Sequence, residues 1–375
     1  MGLKNKNIFI DAHVFDGEFQ GTLTYLVGIY TKFLENNKED VLYFGARNPD
    51  NVRRYFYGYK NIRYIKYNSN SSFRRIFFEI PKLIDSFKFT HAHFQYIIPL
   101  KKNRNCKYIV TIHDILFNDF PNDFSLFYRL KRNFIFYLSA KRADYLLTVS
   151  NYSKNKINEH YKIPKNKILI TPNAVSMNLF EFESTKINSK KYILKTKKIQ
   201  KYVLYVSRIE LRKNHFMLLN AFIENELWKK GFSLVFIGSK TQDIGLENFI
   251  ENLNENIKSH IHWFFSVSEN ELLHFLNGAE FFVYPSRAEG FGIPPLEAAA
   301  LSTPVLCSEK TAMQDYDFFR PFLFNPENYN EFLLSLKEFT KTYKNHDVKS
   351  IKKLIKEKYS WSKSFMTLNK IFEND

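Results

Sequence analysis

The sequence predicts an α/β protein with two doubly wound, Rossmann-like domains. Three observations carry that expectation. Short apolar runs alternate with longer amphipathic segments along the whole chain, the rhythm of parallel strands joined by helices. The 375 residues, 45% of them hydrophobic, suffice for two cores. A polar, Lys-rich stretch at 181–200 separates two such series and reads as a linker or an irregular entry to the second domain. The expected division is residues 1–180 and residues 181–359, with a final helix in 360–375 returning to the first domain.

In the first series, strands are expected at Asn7–Ile10, Val41–Phe44, Ile62–Tyr67, His91–Phe94, Tyr108–Thr111, Tyr145–Val149 and Lys167–Thr171. A loop bounded by Gly17 and Gly21 leads into a helix over Thr22–Leu34. Helical apolar spacing also covers Phe124–Ala143, with Asn122 or Asp123 as its cap. Packing inside the first domain is favoured for that helix over a membrane surface. The second series has strands at Val203–Val206, Ser233–Ile237, Ile261–Phe264, Phe281–Tyr284 and Pro304–Cys307, and helices at His215–Glu226, Asn270–Leu276 and Pro295–Ala300. Ser360–Phe372 closes the chain with helical spacing. Two domains of this kind bind ligands at the C-terminal ends of their strands, here expected in a cleft between them.

Composition limits the function classes. Two cysteines, Cys106 and Cys307, far apart in sequence, argue against a disulfide scaffold and fit a reducing compartment. The N-terminus has no signal-peptide pattern, and no apolar stretch reaches the length of a membrane span, so a cytoplasmic protein is expected, with peripheral contact to a membrane left open. Residues 1–180 carry 28 Lys and Arg against 14 Asp and Glu, the remainder 27 against 24. Residues 53–107 carry 13 against 2, interleaved with aromatics. An anionic membrane surface, nucleic acid and a plain solvated face all suit such a segment. No nucleic-acid motif accompanies it, and no nucleic-acid partner is expected. Charge reversal at Arg74 and Arg75 tests the membrane reading.

The most informative stretch runs from Tyr284 to Val305, YPSRAEGFGIPPLEAAALSTPV. A buried strand leads into a glycine-rich turn holding Glu289, and a Pro pair leads into an Ala-rich helix holding Glu297. A helix start after glycines is an anion site, because its N–H groups are unpaired and the backbone lies open to a ligand. A carboxylate beside a phosphate is repelled, so Glu289 is better explained by the hydroxyls of a sugar. Arg208 and Lys213 lie just past a strand, where two cations suit a diphosphate leaving group; a solvated basic loop is the alternative. His113 ends another strand, and a satisfied loop histidine is its simpler reading. His91 and His93 alternate on a strand without a third ligand of fitting spacing, so no metal is expected. The Gly17–Gly21 loop lacks the dinucleotide fingerprint, which disfavours NAD and FAD.

Taken in order, EGFGIPPLEAAALSTPV, YVLYVSRIELRKN, TIHDILFNDFP, LLTVSNYSKNKI, KILITPNAV and the terminal YSW segment resemble glycosyltransferase family 4, the retaining group 1 glycosyl transferases of GT-B fold. The resemblance covers nearly the whole chain, and Glu289 and Glu297 fit the family's E-x7-E motif. It implies that Arg208 and Lys213 hold the donor diphosphate, that Glu289 binds the transferred sugar and that Glu297 binds the ribose. It further implies that the amides of Phe291, Gly292 and Ile293 face sugar or phosphate. His113 would approach the sugar and β-phosphate, Gly21 would line phosphates or acceptor, and Ser266 and Val267 would lie near the base. The family normally works without a metal or other cofactor. The chain departs from the pattern at Ala174, Ser302 and Met313-Gln314, which puts the 308–320 loop in doubt.

The expected function is retaining transfer of a hexose from a nucleotide sugar, GDP-mannose favoured, to a glycan acceptor, lipid-linked in one reading, in polysaccharide or O-antigen-type synthesis. A nucleotide-sugar 2-epimerase and a non-catalytic sugar-binding scaffold are the alternatives. The first domain would take the acceptor, the second the donor.

Overall fold

Thirteen strands form among the described residues of the computed structural model, which are 5–17 and 21–373. Residues 1–174 and 360–375 group into one unit, and 175–359 into another. The boundary thus falls at Ala174–Val175, before the expected one at 180.

The first unit holds a seven-stranded sheet of order β3-β2-β1-β4-β5-β6-β7. Its strands are β1 (Asn7–Asp11), β2 (Val41–Ala46), β3 (Ile62–Lys66), β4 (His91–Gln95), β5 (Lys107–Thr111), β6 (Tyr145–Thr148) and β7 (Ile168–Ile170). Every pairing is parallel, with Ile8 opposite Leu42 on one side and His91 on the other. A parallel sheet covered on both faces must be apolar throughout, and Ile8, Phe9, Ile10, Phe94 and Val110 are fully buried. The order reverses between β1 and β4, which makes their C-terminal ends the switch point of this unit.

Helix Gly21–Asn36 follows β1 and buries Leu23, Leu26, Ile29 and Phe33. Its Gly28 provides a notch: a Cβ there would sit 2.0 Å from the Trp361 ring. Trp361 begins the last helix, Trp361–Glu373. That helix is further held by Ser364 Oγ donating to the Pro172 carbonyl at 2.5 Å and by Phe372 edge-on to Phe33 at 5.4 Å. Helix Leu126–Arg142 is capped by Ser125, which accepts from the Tyr128 N–H, and not by Asn122 or Asp123, which belong to a separate short turn. Only a narrow side of it is buried, at Phe136, Ser139 and Ala140.

Of the two cations singled out in the basic 53–107 segment, Arg74 is exposed and Arg75 is not. Arg75 is buried, lies 3.8 Å from Asp11 and stands over the Tyr67 ring at 5.7 Å, so its charge is spent inside the unit. Asp11 also accepts from Tyr67 OH at 2.8 Å and lies 3.1 Å from His13 Nδ1. Burial alone would raise the Asp11 carboxyl; His13 and Arg75 beside it hold it well below the usual range.

The second unit holds a six-stranded parallel sheet of order β10-β9-β8-β11-β12-β13. Its strands are β8 (Tyr202–Val206), β9 (Ser233–Ile237), β10 (Ile261–Phe264), β11 (Phe281–Tyr284), β12 (Val305–Ser308) and β13 (Leu323–Phe324). β13 is too short to show in the sequence pattern. The 181–200 stretch is not an irregular linker. It contains a helix, Lys186–Lys197, capped by Thr185, which accepts from the Asn188 N–H, and ended by Lys198 at φ 61°. Its Ser189 and Ile193 are buried, and Asn277 donates to Ser189 Oγ at 2.9 Å. So few apolar side chains leave little periodicity to read.

Candidate active site

In the second unit the strand order reverses between β8 and β11, and the loops after those two strands meet. After β8, a 3-10 turn at Leu211–Lys213 delivers Arg212 and Lys213; Tyr205 OH donates to the Lys213 carbonyl at 2.7 Å and fixes the turn. After β11, the chain doubles back through Ser286 and Glu289, and the Arg287 N–H donates to the Arg212 carbonyl at 2.8 Å.

Glu289 is the centre of this cluster. Its Oε1 accepts from Lys213 Nζ at 2.5 Å, Ser286 Oγ at 2.6 Å and Tyr284 OH at 2.8 Å. Among the described residues its Oε2 accepts only from Arg212 Nη1, at 3.3 Å. One oxygen is therefore saturated by protein donors, while the other retains capacity for a ligand hydroxyl. Burial by itself would raise this carboxyl, but the charges of Lys213 and Arg212 and the bonds from Lys213 and Ser286 bring it down to about 2. Burial, with Arg212 nearby, lowers Lys213 to about 8 against the opposing pull of Glu289. The pair is ionised at neutral pH, and both members are buried.

The sequence pattern points to Arg208, but the residue that joins this cluster is Arg212. Arg208 is exposed and pairs with Glu210 at 3.1 Å; Glu210 also holds Arg212 at 2.9 Å. The two arginines are thus joined through one carboxylate, and Arg212, not Arg208, reaches Glu289. Spacing alone does not distinguish them, because the 3-10 turn decides which cation faces β11.

Beyond Glu289, Gly292 adopts φ 83°, where a Cβ would also stand 3.0 Å from Met313 Sδ. Helix Ile293–Ala300 follows, with Pro294 and Pro295 in its first turn. Those prolines have no N–H, so the helix start offers fewer donors than an ordinary one. The N–H groups that remain are those of Phe291, Gly292 and Ile293, and among the described residues none has a hydrogen-bond partner. The 308–320 loop supports this turn: Thr311 Oγ1 accepts from the Glu289 N–H at 3.0 Å, and Tyr316 OH donates to the Phe291 carbonyl at 2.6 Å. Glu297 lies one helical turn on, partly buried and without a side-chain partner among the described residues, and burial raises its carboxyl to about 7. Ser266 and Val267 lie in the loop between β10 and helix Glu269–Gly278, Ser266 exposed and Val267 half-buried.

In the first unit, His113 follows β5 and is buried. Its Nε2 lies 2.8 Å from Gln95 Oε1, the last residue of β4. An amide oxygen only accepts, so Nε2 carries the proton and Nδ1 is left as an acceptor. Burial lowers the imidazole to about 3, so it is neutral. His93, two residues before Gln95, is occupied by Tyr30 OH at 2.7 Å and Thr111 Oγ1 at 2.8 Å. Gly21 is exposed at the start of its helix, and residues 18–20 of the preceding loop lie outside the described residues.

Two family models match the chain in tandem: "Glycosyltransferase Family 4" over residues 30–179 and "Glycosyl transferases group 1" over residues 186–359. The chain belongs to the group 1, family 4 glycosyltransferases. Among this glycosyltransferase's relatives is the O-antigen chain mannosyltransferase RfbU of Salmonella typhimurium, 31% identical over 216 residues, covering 56% of this chain and 54% of that one. Another is O-antigen chain mannosyltransferase B of Escherichia coli, 30% identical over 184 residues, covering 47% and 46%. These matches span about half the length of each relative. Anabaena HepE, solved with UDP and glucose, superposes with a TM-score of 0.75 at 12% identity, over 99% of this glycosyltransferase and 100% of that chain. The sucrose-phosphate synthase of Thermosynechococcus elongatus gives 0.76 at 16% identity, over 99% and 98%. The glycosyltransferase therefore has the GT-B fold, each unit contributing one doubly wound sheet.

Proposed function

We propose that this glycosyltransferase moves a mannosyl group from GDP-mannose to a glycan acceptor, lipid-linked, with retention of anomeric configuration and without a metal. The observation that carries the reading is the Lys213–Glu289–Arg212 cluster at the β8/β11 switch point, beside three unpaired amides. Mannose is favoured because the named relatives are mannosyltransferases.

In this reading the diphosphate is held by Arg208, Arg212, Lys213 and the amides of Phe291, Gly292 and Ile293. Those groups neutralise its charge, so a divalent ion has no necessary part. Glu289 accepts a sugar hydroxyl on Oε2. Glu297 accepts from the ribose, with Ser266 and Val267 near the base. His113, a neutral acceptor at Nδ1, suits a sugar hydroxyl better than a phosphate. The bond from the anomeric carbon to the β-phosphate oxygen breaks as the bond to the acceptor oxygen forms on the same face. The acceptor proton passes to the departing phosphate. The chain thus acts by electrostatic stabilisation and positioning.

Thermal unfolding with a panel of nucleotide sugars tests the donor: GDP-mannose should raise the midpoint most. Stabilisation by UDP-hexoses alone would overturn the mannose assignment. Consumption of donor with no acceptor present, and release of an epimer, would favour the epimerase alternative.

A further inference from the structure

Five lysines, Lys201, Lys230, Lys337, Lys341 and Lys344, line one cavity of about 430 Å³ in the second unit. Its floor is aromatic. Phe232 and Tyr343 are buried, with Lys201 Nζ 3.7 Å from the centre of the Phe232 ring and Lys344 Nζ 6.0 Å from that of Tyr343. Lys201 immediately precedes β8 and Phe232 immediately precedes β9, so the cavity lies at the N-terminal end of this sheet. The Lys213–Glu289–Arg212 cluster lies past the C-terminal ends, farther off by the length of a five-residue strand, about 15 Å. The cavity is therefore no part of the donor site.

The lysine-rich composition does not account for this convergence. The second half of the chain carries 27 Lys and Arg against 24 Asp and Glu, a net of +3. Among the described residues one carboxylate pairs with any of the five lysines: Glu338, exposed and 3.3 Å from Lys341. Glu280, beside Tyr343, is already paired with Lys190 and accepts from Tyr343 OH at 3.0 Å. The cavity thus gathers a net of +4, more than that whole half carries, while elsewhere in it the charges nearly cancel. Lys201 and Lys230 each give one N–H to a carbonyl, of Lys230 at 3.1 Å and of Asn225 at 3.0 Å. The Lys337 ammonium makes no hydrogen bond among the described residues, and most of the donors around the cavity stay available. Like charges held together repel, and an anion among them removes that repulsion. An ammonium on a flexible stem serves phosphate oxygens as a point charge. The volume is that of a small-ligand site. A single phosphate, with a charge of about −2, leaves half of the net charge uncompensated. We propose that this cavity binds a small soluble molecule carrying two or more phosphate groups. The proposal does not rest on the identity of the donor or of the acceptor.

Calorimetric titration of the full chain with sodium tripolyphosphate tests it, together with lysine acetylation mapped by mass spectrometry. Tripolyphosphate should bind at least about tenfold more tightly than inorganic phosphate and should slow acetylation of Lys337 and Lys344 about fivefold or more. Lys337→Ala with Lys344→Ala should weaken binding at this site about tenfold or more, whereas Lys337→Arg with Lys344→Arg should keep it. Both side chains are exposed, so neither pair should move the thermal midpoint measured without the anion. Failure of tripolyphosphate to protect Lys337 and Lys344 overturns the proposal. An isotherm that the Ala pair leaves unchanged also overturns it, and would assign the anion to the donor site. So does protection of these lysines by phosphatidylglycerol vesicles where tripolyphosphate gives none.

Discussion

Lys213 and Glu289 stand 76 positions apart and form the buried ion pair on which the site is built. Lys213→Ala should lower turnover about 100-fold or more, since one such donor is worth about 3–4 kcal/mol in the transition state. It should also cost about 3 kcal/mol of stability, because Glu289 is left buried with only Arg212 to balance it. Adding Glu289→Gln should restore much of the stability and none of the turnover; unchanged kcat in purified Lys213→Ala would remove the role. The pair also sets pH limits. Glu289 is held at about 2 against an ordinary 4.5, so its contribution is complete above 4.5 and is lost as pH falls from there towards 2. Lys213 is lowered to about 8 from 10.5, so turnover should fall as pH rises through 8. Between 8 and 10.5 the unfolded chain holds a proton the folded one has lost, so this group makes stability rise with pH there. Glu297 has the opposite sign. Burial raises it to about 7 from 4.5, so the folded state binds the extra proton, and stability falls as pH climbs between those values. Glu297→Gln should therefore be more stable than the wild type by about 1–2 kcal/mol at pH 8, after allowance for its partial exposure, and equal to it near pH 4. Melting curves at both pH values check this, and a pH-independent difference would refute it.

Elements meet through contacts that the periodicity of each does not display. The last helix is anchored where Gly28 leaves room for Trp361. Gly28→Ala places a methyl group in that ring and should cost about 1–3 kcal/mol, with the Trp361→Ala double mutant losing less than the two single effects summed. Additive losses in chemical denaturation would show that the notch does not hold the helix. The strands were legible almost to the residue because a doubly wound sheet writes its buried strands as unbroken apolar runs, as at Phe281–Tyr284. Helix Lys186–Lys197 was not legible, since it is long in lysine and buries little beyond Ser189 and Ile193. Helix Leu126–Arg142 lies within two residues of its expected bounds, Phe124–Ala143, but its two apolar sides look alike in sequence. Only packing shows that Phe136 goes in while Phe134 stays out.

At the scale of the molecule, two units with separate sheets divide the candidate residues: His113 in one, Glu289, Lys213 and Glu297 in the other. Hydrogen exchange with and without GDP-mannose should show protection at 208–214 and 289–297 in the second unit. Protection confined to the first unit would place the nucleotide elsewhere. The excess of positive charge belongs to the first half of the chain.

The sequence by itself determined the two α/β units, the family, and the loops that hold Glu289, Glu297 and Lys213. Strand periodicity and glycine-turn chemistry are local, and local properties are written in consecutive residues. Tertiary structure alone decided that Arg212 reaches Glu289 while Arg208 stays on Glu210. It also decided that Gln95 sets the tautomer of His113 and that Arg75 is spent on Asp11. Apart from Arg208 on its neighbour Glu210, each of these is a choice of partner 18 or more positions away. Which of two neighbouring cations faces a buried carboxylate is fixed by how the chain turns after a strand, and residue type carries no record of that.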